Sequence, residues 1–287
     1  MTLPGHENID SLIRLLDDRD SFVYNKVREN LINLGSSAIP YLEKAAVSEN
    51  PKLRQRVADV LNALHPVLLK EKFITFSKES GGADLDLERG ACLIMEIDGF
   101  RQNAEREVEL TLDQLANNFK GQLDSSDTPE QIVKKLSRFI FEEKGFRGNQ
   151  SDYFNPDNSY LDRVLETKLG IPITLSLICI LVGKRLDLPV EGVGMPCHFI
   201  ARLSHPESPV YFDPFNNGRI LTQQACIEMV QGFGLEFENK FLNVTPSREI
   251  LVRMLHNLIT VFNRNNEEEK ASQLIEYSKI LLDPNQD

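Results

Sequence analysis

Three consecutive segments decide the fold: Gly170–Leu186, GIPITLSLICILVGKRL; Asp187–Leu203, DLPVEGVGMPCHFIARL; and Ser204–Asp213, SHPESPVYFD. In the first, Pro172 suits the opening turn of a helix. Ile173, Leu177, Ile180 and Leu181 follow at helical spacing, which predicts a largely buried helix over about 172–186. The next segments change period. Val190–Gly194, His198–Leu203 and Val210–Asp213 alternate as strands do, and Ser204–Glu207 reads as a hairpin loop between the last two. If Leu203 pairs with Ser208, His198 lies opposite Asp213, on the face it shares with Ile200 and Arg202. Cross-strand neighbours sit about 5 Å apart at Cβ, so spacing alone brings an imidazole to a carboxylate.

Helices extend outward on both sides. Residues 147–158, RGNQSDYFNPDN, lack apolar periodicity and read as a long polar loop. After it, Ser159 and Asp162 are expected to open a helix carrying Leu161, Val164 and Leu165, which Gly170 stops. Before it, Thr128, Pro129 and Gln131 form a capping-box start. Ile132, Leu136, Phe139 and Ile140 make the buried face, and Lys144-Gly145 is the stop. A further stripe, Leu112, Leu115, Ala116 and Phe119, marks a helix over 105–119. Beyond the strands, Leu251, Leu255, Leu258 and Phe262, then Leu274, Ile275, Ser278 and Leu282, read as a tetratricopeptide-like helix pair.

The N-terminal part repeats itself. A shift of 30 residues superposes Ile9 on Ile39, Leu12 on Leu42, Val23 on Leu53, Val27 on Val57, Leu31 on Leu61 and Leu34 on Leu64. With breaks at Gly35-Ser36-Ser37 and Asn50-Pro51, this reads as two short HEAT-like repeats, which must stack to bury their apolar faces. Residues 77–84, SKESGGAD, read as a linker. The expected organisation is therefore 1–76, HEAT-like; 85–240, the core holding the helix and strands; and 241–287, the helix pair.

Composition narrows the function class. The 287 residues are 41% hydrophobic and 26% charged, ordinary for a globular protein. Lys and Arg number 32 against 43 Asp and Glu, for a net charge of −11. That opposes a nucleic-acid partner, whose affinity comes from neutralised phosphates. No run approaches the roughly 18 apolar residues of a membrane span. The start, MTLPGHENID, is not that of a signal peptide. Cys92, Cys179, Cys197 and Cys226 form no C-x-x-C pair, so reduced thiols in a cytosol are expected.

A helix, a strand bearing His and a strand bearing Asp follow one another as in transglutaminase-type and papain-type cysteine enzymes. In those, a Cys at the helix N-terminus attacks, the His takes its proton and the Asp orients the His. The stretches NPDNSYLDRVLETKLGIPITLS from Asn155, LDLPVEGVGMPCHFIARL from Leu186, YFDPFNNGR from Tyr211 and GFRGN from Gly145 make the likeness specific. The chain resembles the transglutaminase-like "core two" family of bacterial proteins, historically labelled regulators of invasion genes. The resemblance covers about 85–287. It implies an α+β, mostly helical fold: a transglutaminase-like (papain-like) core with a small antiparallel sheet, flanked by helical-repeat elements.

The resemblance also assigns residues. His198 matches the catalytic histidine and Asp213 the orienting aspartate. The nucleophile belongs to a G-x-C element, which an ungapped alignment from Leu188-Pro189 places at Gly170-Ile171-Pro172, with proline at the cysteine position. The family generally shares this G-x-P form. Proline offers no attacking atom. Thr174 and Ser176 are the hydroxyls nearest in sequence, with Thr174 about 200° around the helix from Pro172. Cys197 is expected to face the core, opposite to His198, and Cys179 to be buried and inert. A metal would need a third ligand beside His198 and Asp213, with Asp152 or His205 the only suggestions and no ligand-type spacing to support them. Gly192-x-Gly194 is no dinucleotide loop, having neither the third glycine nor a following helix.

These readings converge on a pseudoenzyme: a cytoplasmic, non-catalytic transglutaminase-like scaffold for a protein or peptide. No cofactor, metal, nucleic acid or membrane is expected, and the ligand cleft is drawn near Asn155, Asn158 and Pro172. The alternative is a hydrolase or acyltransferase in which Thr174, a serine or a water serves His198.

Overall fold

The computed structural model describes residues 6–79, 84–99 and 103–283. The chain divides into two compact units, Met1–Thr75 and Phe76–Asp287. The first holds α1 (His6–Leu15), α2 (Ser21–Asn33), α3 (Ile39–Ala46) and most of α4 (Pro51–Glu79). The 30-residue periodicity explains its core: Val27, Leu31, Leu42, Val57 and Leu64 are buried with Ile9, and Leu12, Val23, Leu34, Leu53 and Leu61 pack around them. The Asn50 carboxamide caps α4 through the Lys52 amide at 3.0 Å and donates to Asp17 at 2.6 Å, tying the two turns together.

The linker expected over 77–84 is helical as far as Glu79. Phe76 and Ser77 are buried, and the Ser77 hydroxyl donates to the Ile280 carbonyl at 2.9 Å. With groups to bury and bond there, the helix has reason to continue. Residues 80–83, and residues 1–5 of the start read as lacking a signal, lie outside the described residues.

The second unit opens with α5 (Leu87–Met95), α6 (Ala104–Lys120) and α7 (Pro129–Ser137). The Thr128 capping box forms on both sides: the Gln131 amide donates to Thr128 Oγ1 and the Thr128 amide to Gln131 Oε1. A π-helical turn, Arg138–Glu143, continues α7. Two short strands, β1 (Arg147–Gly148) and β2 (Leu169–Gly170), pair in parallel across α8 (Leu161–Thr167). Ser159 does not cap α8. It is taken into a 3-10 turn, Pro156–Ser159, that Asn155 starts, and Tyr160 precedes the helix with no side-chain cap.

Next come α9 (Pro172–Arg185), buried from Pro172 to Gly183, and β3 (Val190–Val193), β4 (Ile200–Leu203), β5 (Val210–Asp213) and β6 (Arg219–Leu221). The four strands form an antiparallel sheet in chain order, and α9 packs against β3 and β4. Then α10 (Gln223–Gly232), α11 (Ser247–Arg264) and α12 (Glu268–Leu282) complete the unit. The fold is mostly helical α+β with a small antiparallel sheet. Arg185 clamps α9 to α5 and α6 through a two-pronged contact with Glu88 at 2.8 and 2.7 Å and Nε on Asp113 at 2.6 Å. The expected stripe of α11 is buried. In α12 the stripe is rotated: Leu274 and Ser278 are buried with Ala271, Tyr277 and Leu281, whereas Ile275 and Leu282 face out.

The hairpin register also differs from the expected one. Leu203 pairs with Val210, not Ser208. Proline has no N–H to give to a ladder, so Pro209 ends up in a longer loop and pairing starts at Val210. On the other side, Pro196 and Cys197 turn the chain, the His198 amide donates to the Met195 carbonyl at 3.3 Å, and β4 starts only at Ile200.

Candidate functional site

His198 therefore sits just before β4, while Asp213 ends β5 on the neighbouring strand. Despite the shifted register the pair meets, with His198 Nε2 and Asp213 Oδ2 2.9 Å apart. Asp213 is only 2% exposed. Its Oδ1 accepts from the Phe215 amide at 3.1 Å and the Asn216 amide at 3.3 Å, and its Oδ2 accepts from Asn216 Nδ2 at 2.7 Å. Burial alone would raise this carboxyl's pKa. The bonds and charge of His198 and the bonds from Asn216 outweigh burial and hold it below the ordinary 3.8. An ionised carboxylate only accepts, so Nε2 is the donor in this bond.

Arg253, from α11, fixes the turn that carries the histidine. Its Nη1 donates to the Met195 carbonyl at 2.9 Å and its Nη2 to the His198 carbonyl at 2.8 Å. The guanidinium lies 5.4 Å over the Phe199 ring. A Cβ on Gly192 would fall 2.7 Å from that ring, so the G-x-G string is there to let an aromatic ring lie on β3. Phe215 stands edge-on to the His198 ring at 6.4 Å and to Tyr153 at 5.9 Å, and Tyr153 to Phe154 at 5.3 Å. Tyr153 and Phe154 are 39% and 41% exposed. The pair is thus edged by a row of aromatic rings that reaches solvent.

The other candidates have different places. Thr174 is fully buried. Its Oγ1 accepts from the Ile171 amide at 3.1 Å and lies 2.8 Å from the Asn158 carbonyl and 3.1 Å from that of Ile171, so it caps α9. Ser176 is also fully buried, and its hydroxyl has no partner among the described residues. Asn158 is buried and its amide is occupied: Oδ1 accepts from Asn149, and Nδ2 donates to the carbonyls of Asp152 and Tyr153. Asn155 caps the turn through the Asp157 amide and donates to Asp152. Pro172 is buried at the start of α9. These residues shape the loop and the helix end, and the polar groups of Thr174, Asn158 and Asn155 bond their own backbone and neighbours.

Cys197 departs from expectation. It is exposed, with φ +60°, because the strand breaks before it and the alternation of faces no longer applies. No hydrogen bond joins its sulfur to the His198 ring among the described residues. Cys179 is buried, which pushes its thiol far up. No group of three or more His, Cys, Asp or Glu placed to hold a metal occurs among the described residues, and no described helix is long and apolar enough to cross a membrane.

Sequence reasoning missed Arg253, Asn216 and the aromatic row. One signal was available, since Tyr153-Phe154 interrupts an otherwise polar loop. Arg253 gave none, because its contacts come from residues more than fifty positions away.

A buried helix laid on an antiparallel sheet that sets histidine against aspartate defines a transglutaminase-like core. Residues 106–256 match the family model described as the transglutaminase-like superfamily, and the chain belongs to that family. It is 39% identical over 158 residues to a UPF0162 protein of Xylella fastidiosa, covering 53% of this chain and 56% of the relative. A UPF0162 protein of Vibrio cholerae is 36% identical over 89 residues, covering 31% of this chain and 33% of the relative. F-box only protein 21 of Mus musculus is 28% identical over 160 residues, covering 53% of this chain and 25% of the relative. The chain spans about half the length of the Xylella relative. No solved structure matches it.

Proposed function

We propose that this protein is a non-catalytic transglutaminase-like module that binds a protein or peptide segment beside the His198–Asp213 pair. One observation carries the reading: the imidazole is held by Asp213, and among the described residues no attacking group is hydrogen-bonded to it. The helix start holds Pro172, and the Thr174 hydroxyl is committed to capping. A base without a nucleophile within hydrogen-bond reach has no first step. The acidic charge and four unpaired thiols suit a cytosolic protein with a polypeptide rather than a nucleic-acid partner. In this reading the helices before residue 76 are HEAT-like and α11–α12 a tetratricopeptide-like pair, both adding surface for partners. Any regulatory role, such as the invasion-gene label implies, then runs through protein contact.

The test is a pair of measurements on the full chain. Incubation with a glutamine-donor protein and a fluorescent amine, and with activated acyl esters, should give no product above buffer. Turnover that His198→Ala abolishes makes the protein an acyltransferase or hydrolase and overturns the reading. In a pull-down, His198→Ala should reduce capture of a partner without eliminating it.

A further inference from the structure

We propose that the rim of the His198–Asp213 pair is a site for an extended acidic peptide, bound by Arg253 and Arg264 at its ends and by Tyr153 and Phe154 between. This rests on the peptide-binding reading above and names the ligand's chemistry. The first argument is charge. Several arginines of this unit take carboxylates: Arg185 has Glu88 and Asp113, Arg202 has Glu191, and Arg163 has Asp98 and Asp157. Carboxylates are plentiful, 43 against 32 basic residues. Arg253 and Arg264, like Arg147 and Arg219, pair with none among the described residues, and of these four Arg264 stacks on an exposed ring of the loop. Arg253 rests on two neutral carbonyls and an aromatic face, and burial depresses its pKa. A guanidinium has five N–H donors, and the bonds to Met195 and His198 engage two of its nitrogens. It is already oriented, so little entropy is lost when a carboxylate arrives.

The second argument is spacing. Arg253 and Arg264 are eleven residues apart on α11. At 1.5 Å and 100° per residue they share one helix face, about 16 Å apart. Beside that face lies the exposed aromatic pair: Arg264 stacks on Phe154 at 3.8 Å, and Phe154 meets Tyr153 edge-on at 5.3 Å. An extended chain rises about 3.3 Å per residue. A segment of about five residues therefore spans the two cations, with acidic side chains at its ends and an aromatic or aliphatic residue over Tyr153 and Phe154. The acidic residues of the loop itself are engaged elsewhere, Asp152 with Asn155 and Asp157 with Arg163.

The experiment is selection of a random heptapeptide library displayed on phage against the immobilised full-length protein, followed by fluorescence anisotropy of the enriched peptides. Enrichment of peptides with two acidic residues four or five apart around an apolar one is expected. Replacing those acids by their amides should weaken binding at least tenfold. Arg264→Gln should weaken it similarly, and Arg253→Gln more, while Arg106→Gln on α6 changes nothing. Arg264 is exposed, so its variant decides the matter even where Arg253→Gln fails to fold. Enrichment without acidic preference overturns this proposal and leaves the binding reading standing. Failure of any peptide to enrich overturns both.

Discussion

His198 and Asp213 meet at 2.9 Å although they are not ladder partners: Asp213 pairs with Arg219 on β6, and His198 precedes β4 altogether. The contact comes from two separately held side chains. Asp213 is fixed by the amides of the turn it caps, and His198 by a turn whose carbonyls Arg253 grips. The Asp213 carboxylate thus takes its orientation from the turn amides, while its backbone stays paired with Arg219.

Asp213→Asn should cost about 1–3 kcal/mol, the usual penalty for leaving buried donors such as His198 Nε2–H and the Asn216 amide poorly matched. The pH dependence has a definite sign. Asp213's pKa is below 3.8 when folded, so the unfolded chain takes up the proton more readily. Its contribution is full above the unfolded value and is lost as pH falls from about 4 through the depressed value. Thermal melts should show the gap between wild type and Asp213→Asn constant near neutrality and closing in that acid window. A gap that widens on acidification contradicts the arrangement.

The fold was legible because its signals are local and strong. The apolar run of α9, the capping box at Thr128 and the 30-residue repeat each need only a short window. The site was half legible. Alternation placed His198 and Asp213 on neighbouring strands, and their contact survived a register wrong by two residues. What failed was conformation at single positions. Pro209 moved the pairing and Cys197 at positive φ broke the alternation. Asn155, Asn158 and Thr174 look like polar site residues, but their chemistry is local, serving turn amides and a helix end. Arg253 was invisible because its partners are distant in sequence.

Thr174→Val separates a capping role from a nucleophilic one. Valine keeps the volume but removes the acceptor for the Ile171 amide and the donor to the Asn158 carbonyl. A loss of about 1–3 kcal/mol is expected, whereas Thr174→Ser should stay within about 1 kcal/mol of wild type. Chemical denaturation of the three proteins checks this. Equal stability of Val and wild type refutes the cap.

Gly148 is required by close approach. A Cβ there would lie 2.6 Å from the Phe215 ring and 2.8 Å from the Phe215 carbonyl oxygen. The backbone atom cannot swing away, so Gly148→Ala should destabilise by about 1–3 kcal/mol and displace the ring beside His198. Gly232, at the end of α10, has nothing within 4 Å of its Cβ position. Gly232→Ala should be neutral or stabilise by up to about 1 kcal/mol. Denaturation midpoints, with near-ultraviolet circular dichroism for the aromatic row, read both.

Cys197 offers the sharpest check on the non-catalytic reading. Three of the four thiols are buried, and burial first of all pushes Cys92 up to about 12 and Cys226 to about 11. A thiol-reactive disulfide reagent should therefore titrate one fast thiol in the native protein and four after denaturation, with the fast one lost in Cys197→Ser. The thiolate is the reacting form, so coupling to the neighbouring base would show in the rate. No hydrogen bond joins the sulfur to the imidazole, and His198→Ala should leave the pH profile of the fast phase where it was. A profile displaced by a unit or more in that variant means that thiol and imidazole act together. Cys197 would then be the missing nucleophile, and the protein an enzyme.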